Sequence, residues 1–247
     1  MLSMAGFSCI VEGHPIAMNK TRLLLLALAI ALCTQFLAAA TPATREEVVK
    51  QVNSCEGILR EFMASPATAI PPKVLGAARA IIITNQFKVG FVFGIQGGYG
   101  VILVKKPNGR WSLPAVIRAG EASLGLQLGG KSVETIYVIT NDQTPRLLLD
   151  GRIDFGADAK AVAGPKAAEA ESWQDGTMLQ IPVLVYAKNT GFYAGATVKA
   201  GFVSRDDDSN HLLYHTDYDL PELLYGDFVA PVPEVQFLMR YMQRIAP

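Results

Sequence analysis

Residues 90–100 contain five glycines and invite interpretation as a phosphate-binding loop. Such a loop needs a following Gly-Lys-Ser/Thr sequence and a helix whose N-terminus can hold the phosphate. Neither is expected here, because the apolar run from Val101 to Val104 predicts a strand. We therefore predict a tight hairpin in a curved sheet and no nucleotide site.

Two histidines, His211 and His215, lie four residues apart beside several aspartates and superficially resemble a metal site. Histidines at that spacing face the same way only on a helix, whereas the polar stretch Arg205 to Asn210 is typical of an exposed loop. An EF-hand also fits poorly, because His211 would stand where that loop requires glycine. We predict a solvated loop and no metal ion.

The residue types needed for nucleophilic catalysis are scarce in this sequence. It has no G-x-S-x-G motif, and Cys55 falls on the apolar face of a predicted helix, where burial is expected. Asp150, Asp154 and Asp158 alternate with apolar residues, which suits a strand edge or a turn. We predict a protein without enzymatic activity and without a cofactor.

Three basic residues, Lys105, Lys106 and Arg110, flank the turn signal Pro107-Asn108-Gly109 between two predicted strands. A hairpin would bring them together at one loop end, where they could contact anionic lipid. The alternative is an ordinary solvated hairpin tip with no ligand.

A helix is predicted to begin at Thr44, which has capping-box spacing with Glu47. Apolar residues then recur every three or four positions along one face: Val48, Val52, Cys55, Ile58, Leu59, Phe62 and Met63. This stripe could cover the sheet permanently, or it could lie in a bilayer interface with Val48, Val52, Phe62 and Met63 inserted. Both alternatives stay open at this point.

Short apolar runs broken by glycine predict a series of strands. They are Ile81 to Thr84, Phe91 to Ile95, Gly100 to Val104, Trp111 to Ile117, Leu124 to Leu128, Thr135 to Thr140, Ile181 to Tyr186 and Ala194 to Phe202. Helical or irregular pieces are expected near Pro145 to Leu149 and Ala161 to Glu171, and helices at Pro71 to Ala80, Leu220 to Leu224 and Pro233 to Ile245. The close spacing of the strands favours antiparallel hairpins. We predict one α+β domain with a strongly curved antiparallel sheet, or partly closed barrel, flanked by N- and C-terminal helices.

The composition excludes several classes of protein. The chain of 247 residues balances 22 Lys and Arg against 22 Asp and Glu, so it lacks the basic excess of a nucleic-acid binder. Half the residues are hydrophobic, which excludes an intrinsically disordered chain. A folded domain without a nucleic-acid partner is expected.

Residues 1–40 resemble a secretory signal peptide. Lys20 and Arg22 precede an apolar run that ends in three alanines, so we predict cleavage after Ala40, with Met18 as the true start. An uncleaved membrane anchor is the alternative, whereas Leu32 before Cys33 fits lipidation poorly. Cleavage would leave residues 41–247 as a single exported domain with a charge of −1, because 20 basic and 21 acidic residues remain.

Glycines, aromatic residues and prolines follow one another in an order that resembles a known protein family over about residues 43–247. It comprises Ile70-Pro71, Ala77 to Ile81, Gly90-Phe91, Gly98 to Val101, Trp111 to Pro114, Ala122-Ser123, Gly125, Gln127, Gly129, Gly156 to Asp158, Gly164-Pro165, Tyr186, Gly191 and Gly195. In this set the chain resembles the SYLF domain family, and in particular an exported bacterial branch. The resemblance implies binding of membrane phospholipids, which in eukaryotic relatives are phosphatidylinositol lipids.

The resemblance leads to three hypotheses for an exported, periplasmic or membrane-associated protein. The first is a non-enzymatic lipid-binding domain of a bacterial envelope membrane, with the head group left open. The second is a periplasmic carrier that holds one lipid or fatty acid in an apolar cavity. The third is an interaction module with a protein partner in the envelope. Some fungal relatives bind actin, but an exported protein is not expected to meet it.

Overall fold

The computed structural model describes residues 44–89, 93–124, 131–155, 157–164, 180–187 and 201–247. The predicted signal peptide and true start lie outside these residues. Ala43–Pro247 forms one compact unit. Within the described ranges, no helix is both long enough and apolar enough to cross a membrane.

The elements form an α+β fold, as predicted. The helices are α1 (Arg45–Ala64), α2 (Pro72–Ala77), α3 (Asp207–Tyr214), α4 (Leu220–Tyr225) and α5 (Gln236–Ile245), with 3-10 turns at Thr144–Asp150 and Pro233–Val235. The strands are β1 (Ala80–Val89), β2 (Phe93–Val104), β3 (Ala115–Leu124), β4 (Lys131–Ile139), β5 (Arg152–Asp154), β6 (Ala161–Ala163), β7 (Val183–Ala187) and β8 (Phe202–Arg205).

The eight strands make one sheet in the order β5-β8-β3-β2-β1-β4-β7-β6, curled into a half-barrel. The long strands β1 to β4 stand at its centre, where isoleucine and valine side chains are fully buried. All described pairs of strands are antiparallel except β6 with β7. The predicted curved antiparallel sheet is therefore confirmed, with one parallel pair added at an edge.

Two glycines of β2 allow an unusually close approach to β1. A Cβ atom on Gly98 would lie 2.1 Å from the Asn85 carbonyl oxygen, and one on Gly100 would lie 2.4 Å from that of Ile83. Contacts this short are sterically impossible, so only glycine fits both positions. The glycine-rich stretch thus forms part of a β1–β2 hairpin, as predicted, and residues 90–92 lie outside the described residues.

Helix α1 begins at the predicted capping box, in which the Glu47 amide donates to Thr44 Oγ1 and the Thr44 amide donates to the Glu47 carboxylate at 2.8 Å. Its apolar stripe packs on β1 and β2, and the helix also contacts α3, the second 3-10 turn and α5. A polar contact adds to this packing, since Ser54 Oγ accepts from Tyr99 on β2 and from Asn85 on β1. Helix α1 therefore joins the start of the domain to its C-terminal elements.

The prediction of an exposed loop at Arg205 to Asn210 was wrong. Strand β8 ends at Arg205, and α3 begins directly after Asp206, whose carboxylate accepts from the Ser209 amide. The Asn210 side chain is fully buried and hydrogen-bonds both backbone groups of Val116 at 2.7 and 3.0 Å. Asp206 is therefore a helix-capping residue, and Asp207 and Asp208 belong to the first turn of the helix. A count of polar residues does not distinguish this arrangement from a loop.

Several predicted element boundaries also changed. The predicted strands Phe91 to Ile95 and Gly100 to Val104 are not separate, because residues 93–95 and 100–104 both belong to β2, whereas residues 91 and 92 lie outside the described residues. Glycines interrupt the apolar pattern without interrupting the ladder. Trp111 makes only an isolated bridge to Lys105, and β3 starts at Ala115. Ala161–Ala163, expected to be helical or irregular, is strand β6 because it pairs with β7.

Candidate functional site

The three predicted basic residues lie together at the connection from β2 to β3, as expected. Gly109 adopts a left-handed conformation with φ 78°, which glycine permits, and its amide donates to the Lys106 carbonyl at 2.9 Å. The Lys106 amide in turn donates to the Arg110 carbonyl at 2.8 Å. This turn fixes the backbone positions from which the side chains of Lys105, Lys106 and Arg110 extend.

The three side chains have different surroundings. Lys106 Nζ donates to Asp227 Oδ1 at 2.7 Å, and this hydrogen bond lowers the pKa of the Asp227 carboxyl. Lys105 Nζ donates to the Pro247 carbonyl and lies 5.9 Å from the centre of the Trp111 ring. Arg110 is exposed, and no salt bridge within 4 Å involves it among the described residues. Among the described residues, Arg110 is therefore the member of the set that can receive an anionic ligand without first breaking a hydrogen bond or an ion pair of its side chain.

Lys106 and Arg110 line an open cleft of about 360 Å³ between the β2–β3 connection and the segment that follows α4. Asp227, Phe228 and Met239 lie on the same cleft. Its far wall is held in place because the Lys106 ammonium also donates to the Gly226 carbonyl. We call these residues the hairpin cleft.

Sequence reasoning missed Phe228, the most exposed large apolar residue that the structure describes. Its side chain is 69% exposed and stacks on Tyr218, with ring centres 5.5 Å apart. Tyr218 is itself 44% exposed. An exposed aromatic side chain that lines the same cleft as an arginine can enter a membrane interface while the guanidinium contacts phosphate.

The apolar residues predicted for membrane insertion lie inside the fold. Val48, Val52 and Phe62 are at most 2% exposed, and Met63 is half-buried against the same core. The structure thus shows the packed arrangement of the two that the sequence left open. Insertion of this stripe would require α1 to leave the sheet. Contact of these residues with lipid therefore stays a prediction, and it applies only to a form in which α1 has left the sheet.

The remaining residues considered for catalysis or metal binding are Cys55 and the two histidines. Cys55 is fully buried, its thiol 3.6 Å from the Ile83 carbonyl, and burial raises its pKa to about 12. His211 Nε2 is hydrogen-bonded to Asp219 Oδ1 at 3.0 Å, and His215 follows the last turn of α3 in a left-handed conformation. Both histidines line one shallow hollow. In the part of the chain that the structure describes, no group of three or more His, Cys, Asp and Glu side chains is placed to hold a metal ion.

Comparison with known proteins identifies one family. A sequence model described as "Ysc84: Las17-binding protein actin regulator" matches residues 120–245, slightly more than half the chain. The chain is 26% identical over 180 residues to bovine "SH3 domain-containing YSC84-like protein 1", covering 70% of this chain and 52% of that protein. No solved structure matches.

Two yeast proteins match over the same share of the chain. Identity is 27% over 176 residues to "Protein YSC84" of Saccharomyces cerevisiae, covering 70% of this chain and 37% of the yeast protein. It is 28% over 176 residues to "LAS seventeen-binding protein 3" of the same species, of which 38% is covered. The chain thus spans about a third to a half of the length of these relatives.

Proposed function

The chain belongs to the Ysc84 family, the SYLF-type family that its glycine pattern resembles, and on this basis we propose that it is a non-enzymatic domain that binds phospholipid membranes. The proposal places it at a bacterial envelope membrane after export. Export would separate the chain from actin, so actin is not part of the proposal. The hairpin cleft is the proposed contact site.

One observation carries this proposal: exposed Phe228 stands on the same cleft as Arg110, whose charge has no salt-bridge partner among the described residues. Full burial of a phenylalanine side chain is worth about 1.5–3 kcal/mol. A basic residue near an anionic bilayer adds about 1 kcal/mol. Apolar insertion should therefore dominate, and salt should weaken binding without abolishing it.

Contact through the hairpin cleft leaves the fold intact, and this distinguishes it from contact through α1. Phe228, Tyr218 and Arg110 are accessible in the folded domain. Insertion of the α1 stripe would first expose Val48, Val52 and Phe62, which are buried against the sheet. The hairpin cleft is therefore the proposed site of first contact.

The test is flotation of residues 41–247 with neutral and with anionic phospholipid vesicles, at low and at high salt. We expect co-flotation with anionic vesicles, and about a tenfold lower partition coefficient for Phe228→Ala. Phe237→Ala is the matched control, because Phe237 is also exposed, at 59%, but is not among the residues that line the cleft. Unchanged flotation of Phe228→Ala would remove the cleft from the mechanism, and absence of flotation with every vesicle would reject the proposal.

A second candidate function is that of a protein-interaction module. It is favoured by the name of one relative, "LAS seventeen-binding protein 3", which describes a protein partner. Crosslinking in envelope extracts would test it, with recovery of the same partner after lipid removal as the supporting result. For the third candidate, a carrier of one lipid, native mass spectrometry should detect a bound lipid in the purified chain.

A further inference from the structure

The outer face of α5 combines an exposed aromatic ring with two arginines. Phe237 is 59% exposed, and the guanidinium carbon of Arg240 lies 4.9 Å from the centre of its ring. The Arg244 guanidinium carbon lies 4.9 Å from the ring centre of Tyr241, which is almost fully buried beneath it. We call Phe237, Arg240 and Arg244 the arginine face.

Among the described residues, no carboxylate within 4 Å pairs with Arg240 or Arg244, and residues 236–245 contain no Asp or Glu. Two like charges four residues apart on a helix repel each other, so the helix gains when an opposite charge binds them. A guanidinium stacked on a ring still presents its N–H edge, which suits bidentate contact with a carboxylate.

A complementary surface lies on the same chain, at the end of α3. A shallow hollow of about 480 Å³ is lined by Asp208, Leu212 and Asp217, together with His211, His215 and Thr216. Leu212 is 38% exposed. The Asp208 side chain is 92% exposed, and its salt bridge to Arg118 is long, at 3.9 Å. We call these residues the acidic hollow.

We propose that the chain associates with itself head to tail, the arginine face of one copy docking in the acidic hollow of the next. Phe237 packs on Leu212, and Arg240 and Arg244 pair with Asp208 and Asp217. Phe237 and Leu212 are both exposed within one copy, so the two surfaces do not cover each other in the same molecule. Because the two surfaces differ, the contact adds copies in series unless the rotation closes a ring.

The acidic hollow matches the arginine face in both kinds of contact. It supplies an apolar residue, Leu212, for Phe237, and the carboxylates of Asp208 and Asp217 for the two guanidinium groups. The surfaces are small, so the contact belongs to the transient class that buries less than about 1,200 Å².

The test is sedimentation velocity of residues 41–247 over a range of concentrations, at low and at high salt. The mean sedimentation coefficient should rise with concentration at low salt, and the rise should diminish at high salt. The double variants R240E/R244E and D208K/D217K should each weaken association about tenfold or more, because each places like charges across the contact.

Mixing the two variants makes the test specific. The unaltered arginine face of D208K/D217K still fits the unaltered acidic hollow of R240E/R244E. The altered face and the altered hollow also fit each other, because both charges are reversed. An equimolar mixture should therefore recover association that neither variant shows alone. A mixture that stays monomeric while wild type associates would overturn the proposal, as would a wild type that is monomeric at every concentration.

The result can be separated from that of the lipid proposal. Phe228→Ala should associate like wild type, and R240E/R244E should float with vesicles like wild type. Loss of flotation by R240E/R244E with unchanged sedimentation would assign the arginine face to the membrane and overturn self-association. Circular dichroism of each variant establishes that its fold is retained.

Discussion

Gly98 allows strand β2 to lie against β1 at a distance that no side chain permits. A Cβ atom at this position would meet backbone atoms, the Asn85 carbonyl oxygen at 2.1 Å and the Gln86 Cα at 2.6 Å. Backbone atoms in the middle of a sheet cannot move aside as a side chain can. The substitution Gly98→Ala should therefore lower the free energy of unfolding by about 2–3 kcal/mol.

Chemical denaturation measures this difference, and the adjacent residue supplies the control. A Cβ atom on Gly97 meets nothing within 4 Å, so Gly97→Ala should change stability by no more than about 0.5 kcal/mol. Equal stability of the two variants would show that β2 does not approach β1 as described.

The sequence predicted the basic part of the candidate site but not its aromatic part. Lys105, Lys106 and Arg110 could be placed together because Pro107-Asn108-Gly109 is a strong turn signal. Phe228 lies in a short segment without helical or strand periodicity, between α4 and the second 3-10 turn. Its exposure and its position on the cleft depend on contacts between residues more than a hundred positions apart, which local patterns do not encode.

Helix α1 is held by its apolar face, so substitutions there should act on stability before they act on any ligand. Phe62 is 2% exposed, and Phe62→Asp would both leave a cavity and bury a carboxylate. The expected loss is at least about 3–5 kcal/mol, enough to unfold a marginal domain. Thermal unfolding followed by circular dichroism measures it.

The exposed position Asn53 on the same helix provides the control, because Asn53→Asp should leave the melting temperature almost unchanged. Loss of lipid binding by Phe62→Asp alone would then report unfolding and not a lost contact. A Phe62→Asp variant as stable as wild type would mean that α1 does not pack on the sheet.

At the level of elements, sequence periodicity was most informative where a long face is buried. The stripe of α1 extends over most of a 20-residue helix, and a capping box marks the start of that helix. Helix α3 is only eight residues long, and its start is rich in aspartate. In so short an element, the sequence looks the same whether Asp206 caps a helix or lies in a loop. The buried hydrogen bonds of Asn210 decide for the helix.

The sheet connects distant parts of the chain, so we do not expect the region matched by the family model to fold by itself. Residues 120–245 begin inside β3 and omit β1 and β2, which occupy the centre of the strand order. Without them, β5-β8-β3 and β4-β7-β6 become two separate three-stranded sheets. We expect a fragment of residues 120–245 to lack a cooperative unfolding transition.

Two-dimensional NMR spectra of the fragment 120–245 and of residues 41–247 test whether the fragment is folded. The longer chain should give dispersed amide signals, and the fragment should give the narrow dispersion of an unfolded chain. Dispersed signals from the fragment would show that the central strands β1 and β2 are dispensable.

The overall class of the fold followed from the sequence, but the strand order did not. Glycine-separated apolar runs indicated neighbouring antiparallel strands, and β1, β2 and β3 do pair in chain order. The pairing of β3 with β8 joins Ala119 to Val203, and the parallel pair β6–β7 stands at the far edge. Such long-range pairs leave no periodic signal within either partner strand.

The position of α1 also affects the order in which the parts of the chain fold during synthesis. The first helix of the domain rests partly on α3, on the second 3-10 turn and on α5, as in the 2.9 Å salt bridge between Arg45 and Glu234. During synthesis, α1 emerges first but cannot complete its packing until nearly the whole chain is present. The early hairpins can pair while the chain is still short, so docking of α1 should be a late step of folding. Until that step, the buried face of α1 stays accessible to any chaperone or membrane that the nascent chain meets.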